Sequence, residues 1–348
     1  MNDLPEMISA LHGGASLDPA QVEAVVALLV DESVSGDLKA EFLKALRMKG
    51  ETAAEIAEFV RALLRRAVNP EINPATLPGP VLDVCGTGGD RMDLFNVSTT
   101  AMFILAAGGA VVIKHGNRGI TSKCGGADVL ETLGVKIDLP PEALQRCVAE
   151  HGVGFMFAPH YHPAFKVIAP VRKALATQGV TTIFNLLGPL LNPAPPAHQL
   201  VGVFQQSYLQ KFAETFLLLG RTHAWAVHGA SDVGRGVDEI STMGKTEVCK
   251  VSARGLEFEQ ISPEQFGIAR AGAEELRGGN CEQNARILRG ILSGQIRGAK
   301  RDLVLLNAAA GFVVSNLAPD IHTGLELARA QIDTGQALSK LEALQNFA

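Results

Sequence analysis

Aromatic residues are scarce in this chain: they make up 5% of its 348 residues, and Trp225 is its single tryptophan. Proteins that bind single-stranded nucleic acid stack bases on aromatic rings, and this composition offers few rings for such a surface. The formal net charge of −5 also disfavours a protein that coats nucleic-acid phosphates. We therefore expect no nucleic-acid partner.

The chain also lacks a cysteine framework, a secretory signal and a long apolar run. Its five cysteines are odd in number and never form C-x-x-C, which favours neither a disulfide framework nor a zinc site. The start "MNDLPEMISA" has no basic stretch followed by an apolar one. The longest apolar run, 101–113, has 13 residues and contains two glycines, too few to span a bilayer. We expect a cytoplasmic protein with no membrane partner.

The apolar fraction, 47%, is high enough to bury a sizeable core. The pattern over the first 70 residues predicts helices only. Asp18 with Gln21, and Thr52 with Glu55, have the spacing of helix-capping boxes in front of apolar residues at helical intervals. The segment "NPEINPATLPGP" (69–80) contains four prolines and is typical of a linker.

After this linker the pattern changes to alternating strands and helices. "VLDVCG" and "AVVIKHG" are short β-branched runs separated by a predicted helix over 97–107, and further strands are predicted at "VGFMF", "LVGVF" and "AWAVHG". The first two runs lack polar alternation, which is typical of a parallel sheet covered on both faces. The predicted fold class is α/β, with a small all-helical N-terminal domain and a larger domain whose mostly parallel sheet is flanked by helices.

A glycine-rich segment, "DVCGTGGDRMDLFNVSTT" (83–100), follows the first predicted strand. Its glycines allow a tight turn, and three polar residues begin the next helix, where free amides and the helix dipole attract anions. A helix start needs only one capping residue, so three polar residues are more than the helix itself requires. The segment is neither a dinucleotide-binding nor a Walker A motif. An ordinary strand–turn–helix connection is the alternative to a phosphate-binding loop.

A second basic and glycine-rich segment, "KHGNRGITSKCGGADVLE" (114–131), follows the next predicted strand at its carboxyl end. Ligands of open α/β sheets bind at this edge. Lys114 and Arg118 would supply positive charge, and the glycines would let phosphates approach the backbone. A solvated basic loop would explain the charges but not the glycines. Cys124 is interpreted as a small filler in this loop.

Two adjacent carboxylates, Asp238 and Glu239, lie in the glycine-flanked segment "HGASDVGRGVDEIS" (228–241). Such a pair is usually a solvated turn, but beside a phosphate site it suits Mg²⁺, which binds one or two carboxylates together with phosphate oxygens and water. The "HYH" at 160–162 has metal-like spacing too, yet it lacks a third or fourth ligand nearby, so loop residues are the better interpretation.

In this order, "GTGGD", "NVST", "KHGNR", "ADVLE", "FNLLGPLLNPA" and "VDEIS" resemble the motifs of the anthranilate phosphoribosyltransferase family over nearly the whole chain. The resemblance implies a Mg²⁺-dependent enzyme of tryptophan biosynthesis. Such an enzyme transfers the phosphoribosyl group from phosphoribosyl pyrophosphate to the amino group of anthranilate and releases pyrophosphate. It also implies a helical domain (1–72) hinged to an α/β domain (76–348), with roughly 163–190 packing back onto the helical domain, and a homodimer through that domain.

Carried over motif by motif, the resemblance assigns roles to individual residues. No residue is assigned as an acid or base, because an aromatic amine is already neutral and nucleophilic. Ser98, Asp238 and Glu239 would hold Mg²⁺. The acceptor would meet His115, Asn117, His162 and Arg172, with the Arg172 guanidinium facing its carboxylate. The donor would meet Gly86, Gly89, Asp90, Asn96, Ser98, Thr99, Lys114 and Gly126.

The chain departs from the family pattern at two places near the donor and the acceptor. Gly126 stands where the family has the second serine of Ser-x-Ser-Ala-Asp-Val-Leu-Glu, and Thr181 stands where an arginine commonly precedes "TIFN", in a segment about two residues longer than usual. Two alternatives therefore stay open. One is a transferase of the same fold with another aromatic or heterocyclic acceptor, and the other is a non-catalytic paralogue that binds nucleic acid.

Overall fold

The structure, a computed structural model, describes residues 3–119 and 123–347. Its strands are β1 Val81–Gly86, β2 Val111–Gly116, β3 Val153–Phe157, β4 His198–Gly202, β5 His223–Ala230, β6 Gly236–Val237, β7 Thr246–Ser252 and β8 Gly255–Ile261. Its α-helices are α1 Leu4–His12, α2 Pro19–Leu29, α3 Gly36–Lys49, α4 Ala53–Leu64, α5 Val97–Ala107, α6 Gly126–Thr132, α7 Pro141–His151, α8 Ala158–Tyr161, α9 Phe165–Thr177, α10 Phe184–Leu187, α11 Leu209–Leu218, α12 Ala273–Leu276, α13 Cys281–Leu292, α14 Ala299–Val314, α15 Ile321–Asp333 and α16 Gln336–Asn346.

The chain divides into two compact units. The first, called here the helical unit, is the chain up to Asn69 together with Ala158–Pro193, and the second, the α/β unit, is Pro70–Phe157 together with the chain from Ala194 onward. The helical unit thus contains α1–α4 and α8–α10. Two segments far apart in sequence build it, and α3 packs against α9 within it.

Capping residues begin the helices of the helical unit where the sequence predicts them. The Asp18 carboxylate accepts a hydrogen bond from the Gln21 N–H at 2.8 Å, and Thr52 and Glu55 form the second capping box. Each box satisfies N–H groups that have no partner inside the helix. The helices then bury apolar faces that include Val22, Phe42 and Phe59.

The α/β unit is built on a sheet with strand order β3-β2-β1-β4-β5-β7-β8, in which β6 pairs with β5. The five strands from β3 to β5 are parallel, and β6, β7 and β8 are antiparallel to their neighbours. Strands β1 and β2 are buried over their first four residues, as their unbroken apolar pattern predicts. Helices α5 and α14 pack together over this sheet and supply much of the core. The predicted fold class is confirmed.

The sequence did not predict the β7–β8 hairpin, because β8 is mostly exposed and carries charged residues in its centre. The predicted strand "LVGVF" begins two residues earlier in the structure, at His198. Among the described residues, no helix is both long and apolar enough to cross a membrane.

Candidate active site at the carboxyl edge of the sheet

Two glycines bring the acidic segment against the carboxyl ends of the parallel strands. Gly86 ends β1 and Gly202 ends β4, and the two are paired in register. A Cβ at either position would overlap Asp238: its carboxylate and carbonyl oxygen at Gly86, and its carbonyl group at Gly202. Only glycine allows this approach. The segment that contains Asp238 and Glu239 therefore lies at the sheet edge where ligands of α/β folds bind.

The Asp238 carboxylate lies among other polar groups of this edge. Its Oδ2 accepts a hydrogen bond from the Gly88 N–H at 2.6 Å, across a separation of 150 residues. Burial raises the pKa of Asp238 well above its ordinary value of 3.8, and the Asp90 and Glu239 carboxylates raise it further, whereas the Gly88 N–H opposes the shift. Gly89 is exposed in the same loop. The carboxylates of Asp90, Asp238 and Glu239 thus converge at this edge.

Glu239 is close to the start of α5 and to Lys114. Burial raises the pKa of Glu239 to about 8, although Lys114 and the Ser98 backbone N–H favour its charged form. Lys114 is itself buried, and its Nζ donates to the Val84 carbonyl and, at 3.1 Å, to the Ser98 hydroxyl. The predicted metal ligands Ser98, Asp238 and Glu239 and the predicted donor residue Lys114 therefore lie in one neighbourhood.

The first turn of α5 is held by side-chain bonds rather than by an ordinary cap. Asn96 is at the cap position, but its side chain makes no capping bond. Its Nδ2 donates to the Cys124 carbonyl at 3.0 Å, and its Oδ1 accepts from Nδ2 of Asn284 on α13 at 3.1 Å. Thr99 is buried beside Gly126. Asn284 was not predicted, since nothing in its local sequence relates it to a site 188 residues away.

Arg118 and Gly125 have roles that differ from the sequence interpretation. The Arg118 guanidinium donates to Asp128 at 3.0 Å and to Glu131 at 2.6 Å, so its charge is paired with two carboxylates of α6. At Gly125 a Cβ would overlap the backbone of residues 117–119, so this glycine packs the loop against itself rather than exposing backbone to phosphates. Residues 120–122 of the same segment lie outside the described residues.

Two cysteines of this region form a disulfide, which corrects the interpretation of Cys124 as a small filler. Cys124, directly before Gly125, is bonded to Cys281 at the first position of α13, and their Cα atoms are 5.1 Å apart. The two are separated by 157 residues in sequence, so cysteine spacing gave no signal for this pair. Cys85, Cys147 and Cys249 are free thiols.

The predicted acceptor residues fall on both units. In the helical unit His162 is buried, and its Nε2 lies 2.8 Å from the Leu191 carbonyl oxygen. Burial lowers the pKa of His162, although the hydrogen bond to Leu191 acts in the opposite direction. The ring of His162 stacks on Phe165, and Phe165 contacts Phe184 edge to face. Arg172 of α9 places its guanidinium over the Phe184 ring at 5.0 Å.

Burial lowers the pKa of Arg172, and among the described residues no carboxylate pairs with it. In the α/β unit His115 is the second-last residue of β2. Asn117 is exposed, and its Oδ1 accepts a hydrogen bond from the Arg118 N–H at 2.8 Å. A desolvated guanidinium without a carboxylate partner is a suitable receptor for an anionic group.

Comparisons with known proteins agree with this architecture. The glycosyl transferase family, a/b domain, matches residues 78–338, and the glycosyl transferase family, helical bundle domain, matches residues 5–67. The chain is 44% identical to the anthranilate phosphoribosyltransferase of Rubrobacter xylanophilus, over 97% of this chain and 96% of that protein.

Two solved structures extend the similarity to three dimensions. The anthranilate phosphoribosyltransferase (TrpD) of Thermus thermophilus matches with a TM-score of 0.89 and 38% identity over 98% of both chains. The Saccharomyces cerevisiae enzyme in complex with PRPP and Mg matches with a TM-score of 0.85 and 28% identity, over 98% of this chain and 96% of that one. The same yeast enzyme has also been solved with 4-fluoroanthranilate.

Proposed function

The chain belongs to the anthranilate phosphoribosyltransferase family, and from that membership we propose that it transfers the phosphoribosyl group of phosphoribosyl pyrophosphate to the amino group of anthranilate. This is a step of tryptophan biosynthesis that releases pyrophosphate. The observation that carries the proposal is the convergence of Asp238, Glu239 and Lys114 with the start of α5 at one sheet edge. This arrangement suits a polyanion that binds together with a divalent cation.

The donor residues would act by positioning and by charge. Lys114 uses two of its three N–H groups on Val84 and Ser98, which fixes the ammonium and leaves one donor for a phosphate oxygen. The first-turn amides of α5 point in the direction in which helices bind anions. Fixed donors stabilise the charge that develops on a departing pyrophosphate without having to reorganise. Gly86, Gly89, Asp90, Asn96, Thr99 and Gly126 complete the proposed donor site.

The residues present fit Mg²⁺. The Asp90, Asp238 and Glu239 carboxylates lie together, and the pKa values of Asp238 and Glu239 are raised, so a cation would relieve an unfavourable cluster of like charges. Within the described ranges no three His, Cys, Asp or Glu side chains form a metal site by themselves, and Mg²⁺ commonly completes its shell with substrate oxygens and water. Ser98, Asp238 and Glu239 would hold it. Bound there, Mg²⁺ would neutralise charge on the pyrophosphate group.

The acceptor residues would recognise an aromatic acid. Arg172 would donate two parallel hydrogen bonds to the carboxylate, which suits its planar guanidinium and its desolvated position over the Phe184 ring. The family resemblance also assigns acceptor contacts to His162, His115 and Asn117. The yeast relative has been solved with 4-fluoroanthranilate, which supports a benzoate-type acceptor. No residue has to remove a proton before attack, because the aromatic amine is already neutral.

Purified protein mixed with phosphoribosyl pyrophosphate, Mg²⁺ and a panel of aromatic and heterocyclic amines tests the proposal. We expect pyrophosphate release with anthranilate, dependence on Mg²⁺, and little release with aniline, which lacks the carboxylate. Pyrophosphate release with another amine of the panel but not with anthranilate would show that the acceptor is a different amine, while the transfer from phosphoribosyl pyrophosphate would stand. No release with any amine would overturn the proposal.

Two further expectations belong to the same proposal. The family resemblance implies a homodimer through the helical unit, where Met48 is a large apolar side chain that is 77% exposed. Light scattering coupled to size exclusion should give twice the chain mass of 36.7 kDa, and Met48→Lys should shift it towards the monomer if that side chain is in the interface. A cytoplasmic location stays a prediction, testable by cell fractionation.

A further inference from the structure

Asn307 is a polar residue inside an otherwise apolar helix. It lies in the middle of α14, within "LVLLNAAAGF", and is 3% exposed among buried leucines, valines and alanines. Asparagine is a poor residue for a helix interior, and a buried amide is unfavourable unless its hydrogen bonds are made. The side-chain amide of Asn307 makes its hydrogen bonds to backbone groups, and these groups show which segment it holds.

Two of these bonds hold one peptide group on each side of Ile240. The Asn307 Oδ1 accepts from the Ile240 N–H at 2.9 Å, and the Asn307 Nδ2 donates to the Ile240 carbonyl at 2.9 Å. The second hydrogen of Nδ2 goes to the Leu303 carbonyl one turn earlier, at 2.9 Å, and fixes the plane of the amide. The side chain thus pairs with Ile240 as a neighbouring strand would.

Ile240 directly follows Glu239 and lies outside the strands. Strand β6 ends at Val237 and β7 begins at Thr246, so a strand ladder does not hold the segment between them. The segment is close to β5 as well, since a Cβ at Gly229 would come within 2.6 Å of the Glu239 carbonyl oxygen. Asn307, Glu239 and Ser98 also line the same small cavity. The amide of Asn307 is therefore a side-chain anchor of the acidic segment.

We propose that Asn307 is a positioning residue, which orients Glu239 and Asp238 towards a divalent cation by fixing the peptide groups of Ile240. The inference rests on the proposed function. Asn307 itself touches neither the cation nor the substrate. A backbone segment fixed at one point by two hydrogen bonds cannot rotate freely, and the carboxylates on the preceding two residues keep their directions. The simpler role, satisfying a buried peptide, would affect folding stability alone.

Asn307→Ala and Asn307→Ser test the proposal, with Ser315→Ala as the matched control. Ser315 is the buried C-cap residue of α14, and its hydroxyl donates to the Gly311 carbonyl at 2.8 Å, so its loss perturbs the same helix without touching the acidic segment. In Asn307→Ser the hydroxyl can bond Leu303 in the same manner, which keeps the helix intact while the bonds to Ile240 are lost. This variant keeps the test valid if the alanine variant does not fold.

The direct measurement is Mn²⁺ binding in the presence of pyrophosphate, followed by the electron paramagnetic resonance signal of free Mn²⁺. We expect both Asn307 variants to raise the Mn²⁺ dissociation constant roughly 10–100-fold, the range found when groups that orient metal ligands are removed. Ser315→Ala should bind Mn²⁺ like the wild type, even where its melting temperature is lowered equally. Wild-type Mn²⁺ binding by a folded Asn307→Ser protein would overturn the proposal.

A Glu239→Gln variant separates failure of this inference from failure of the proposed function. If Glu239→Gln weakens Mn²⁺ binding and Asn307→Ser does not, the metal site stands and the positioning role of Asn307 is wrong. If neither weakens it, the metal site itself is wrong. In the Glu239→Gln background, Asn307→Ser should weaken binding by much less than it does alone, because residues that act through one group are not additive.

Discussion

Burial acts to raise the pKa of both Glu55 in the helical unit and Glu239 in the α/β unit, yet their pKa values shift in opposite directions. Burial alone would raise the pKa of Glu55, but the Lys49 ammonium at 2.7 Å and the backbone N–H groups of Leu17 and Thr52 lower it below its ordinary value of 4.5. The pKa of Glu239 is raised to about 8 by burial, because Lys114 and the Ser98 N–H do not compensate.

The difference separates a carboxylate that the fold itself satisfies from one that, under the proposed function, a bound cation would satisfy. The protein itself satisfies Glu55 with the Lys49 ammonium, two backbone N–H groups and the Thr52 hydroxyl. Around Glu239 the chain places two further carboxylates, Asp90 and Asp238, against the buried Lys114 ammonium. The charged forms of such a cluster are unfavourable in the free protein, and a bound cation would stabilise them.

The largest effect is expected from Glu239→Gln. Turnover should fall on the order of 10²-fold, the loss typical of removing one group that stabilises transition-state charge. The melting temperature of the ligand-free protein should not fall, because the charged form of Glu239 is unfavourable in the free protein and glutamine stays neutral. Steady-state assays and thermal denaturation measure both. Glu247→Gln on β7, whose carboxylate accepts from Gln260, is the control. Wild-type turnover of the Glu239→Gln variant at limiting Mg²⁺ would contradict the proposed role of Glu239 in metal binding and its contrast with Glu55.

Arg172→Ala asks whether the same reasoning holds for a cation. Its guanidinium is desolvated and, in the described part of the chain, has no carboxylate partner. When the ligand carboxylate loses this partner, the binding free energy should weaken by about 2 kcal/mol or more. The KM for anthranilate should therefore rise roughly 30-fold or more. The KM for phosphoribosyl pyrophosphate should hardly change. Lys173→Ala, an exposed neighbour on α9, is the control. If both KM values shift equally, or neither does, Arg172 has a structural role.

Glu55→Ala should show the opposite behaviour to Glu239→Gln. We expect a loss of roughly 3 kcal/mol in the free energy of unfolding, because the buried Lys49 ammonium and two N–H groups lose their acceptor. The catalytic rate per folded molecule should stay the same. Urea denaturation measures the loss, and Glu58→Ala, which breaks a more exposed pair with Arg61, should cost less than about 1 kcal/mol. Equal losses in the two variants would contradict the assignment.

The contribution of Glu55 should also depend on pH in a fixed direction. Its folded-state pKa lies below the ordinary value of 4.5, so the unfolded chain binds the proton more readily. The stability difference between wild type and Glu55→Gln is therefore present above pH 4.5 and shrinks as the pH falls through the lowered pKa. Denaturation curves from neutral pH down to the acid limit of folding test this. A difference that does not change with pH would exclude the linkage.

The smallest effect is expected from Gly126→Ser at the start of α6. The new hydroxyl should bind the donor's phosphate, but a Cβ there would lie 3.2 Å from the Thr99 hydroxyl, so Thr99 has to shift by a few tenths of an ångström. We expect affinity for phosphoribosyl pyrophosphate to improve severalfold at most, which is less than the full value of a bond to a charged group. Gly126→Ala adds the Cβ alone and is the control. A severalfold weakening by both would show that the site has no room for a side chain.

Local sequence patterns were sufficient for much of the fold. The capping boxes at Asp18 and Thr52, strand β1 and helix α5 were predicted because caps and periodicity act within a few residues. The β7–β8 hairpin was missed, since β8 is mostly exposed and its charged residues carry no strand pattern. The disulfide between Cys124 and Cys281 had no local signal at all.

The sequence by itself determined which segments carry clustered glycines, basic residues and paired carboxylates, because these features are contiguous in the chain. Only the tertiary structure decided how each charge is used. It paired Arg118 with Glu131, joined Asp238 to Gly88 across 150 residues and placed Asn307 against Ile240 across 67. Whether a buried charge finds a partner depends on groups brought together by folding, and neither composition nor spacing contains that information.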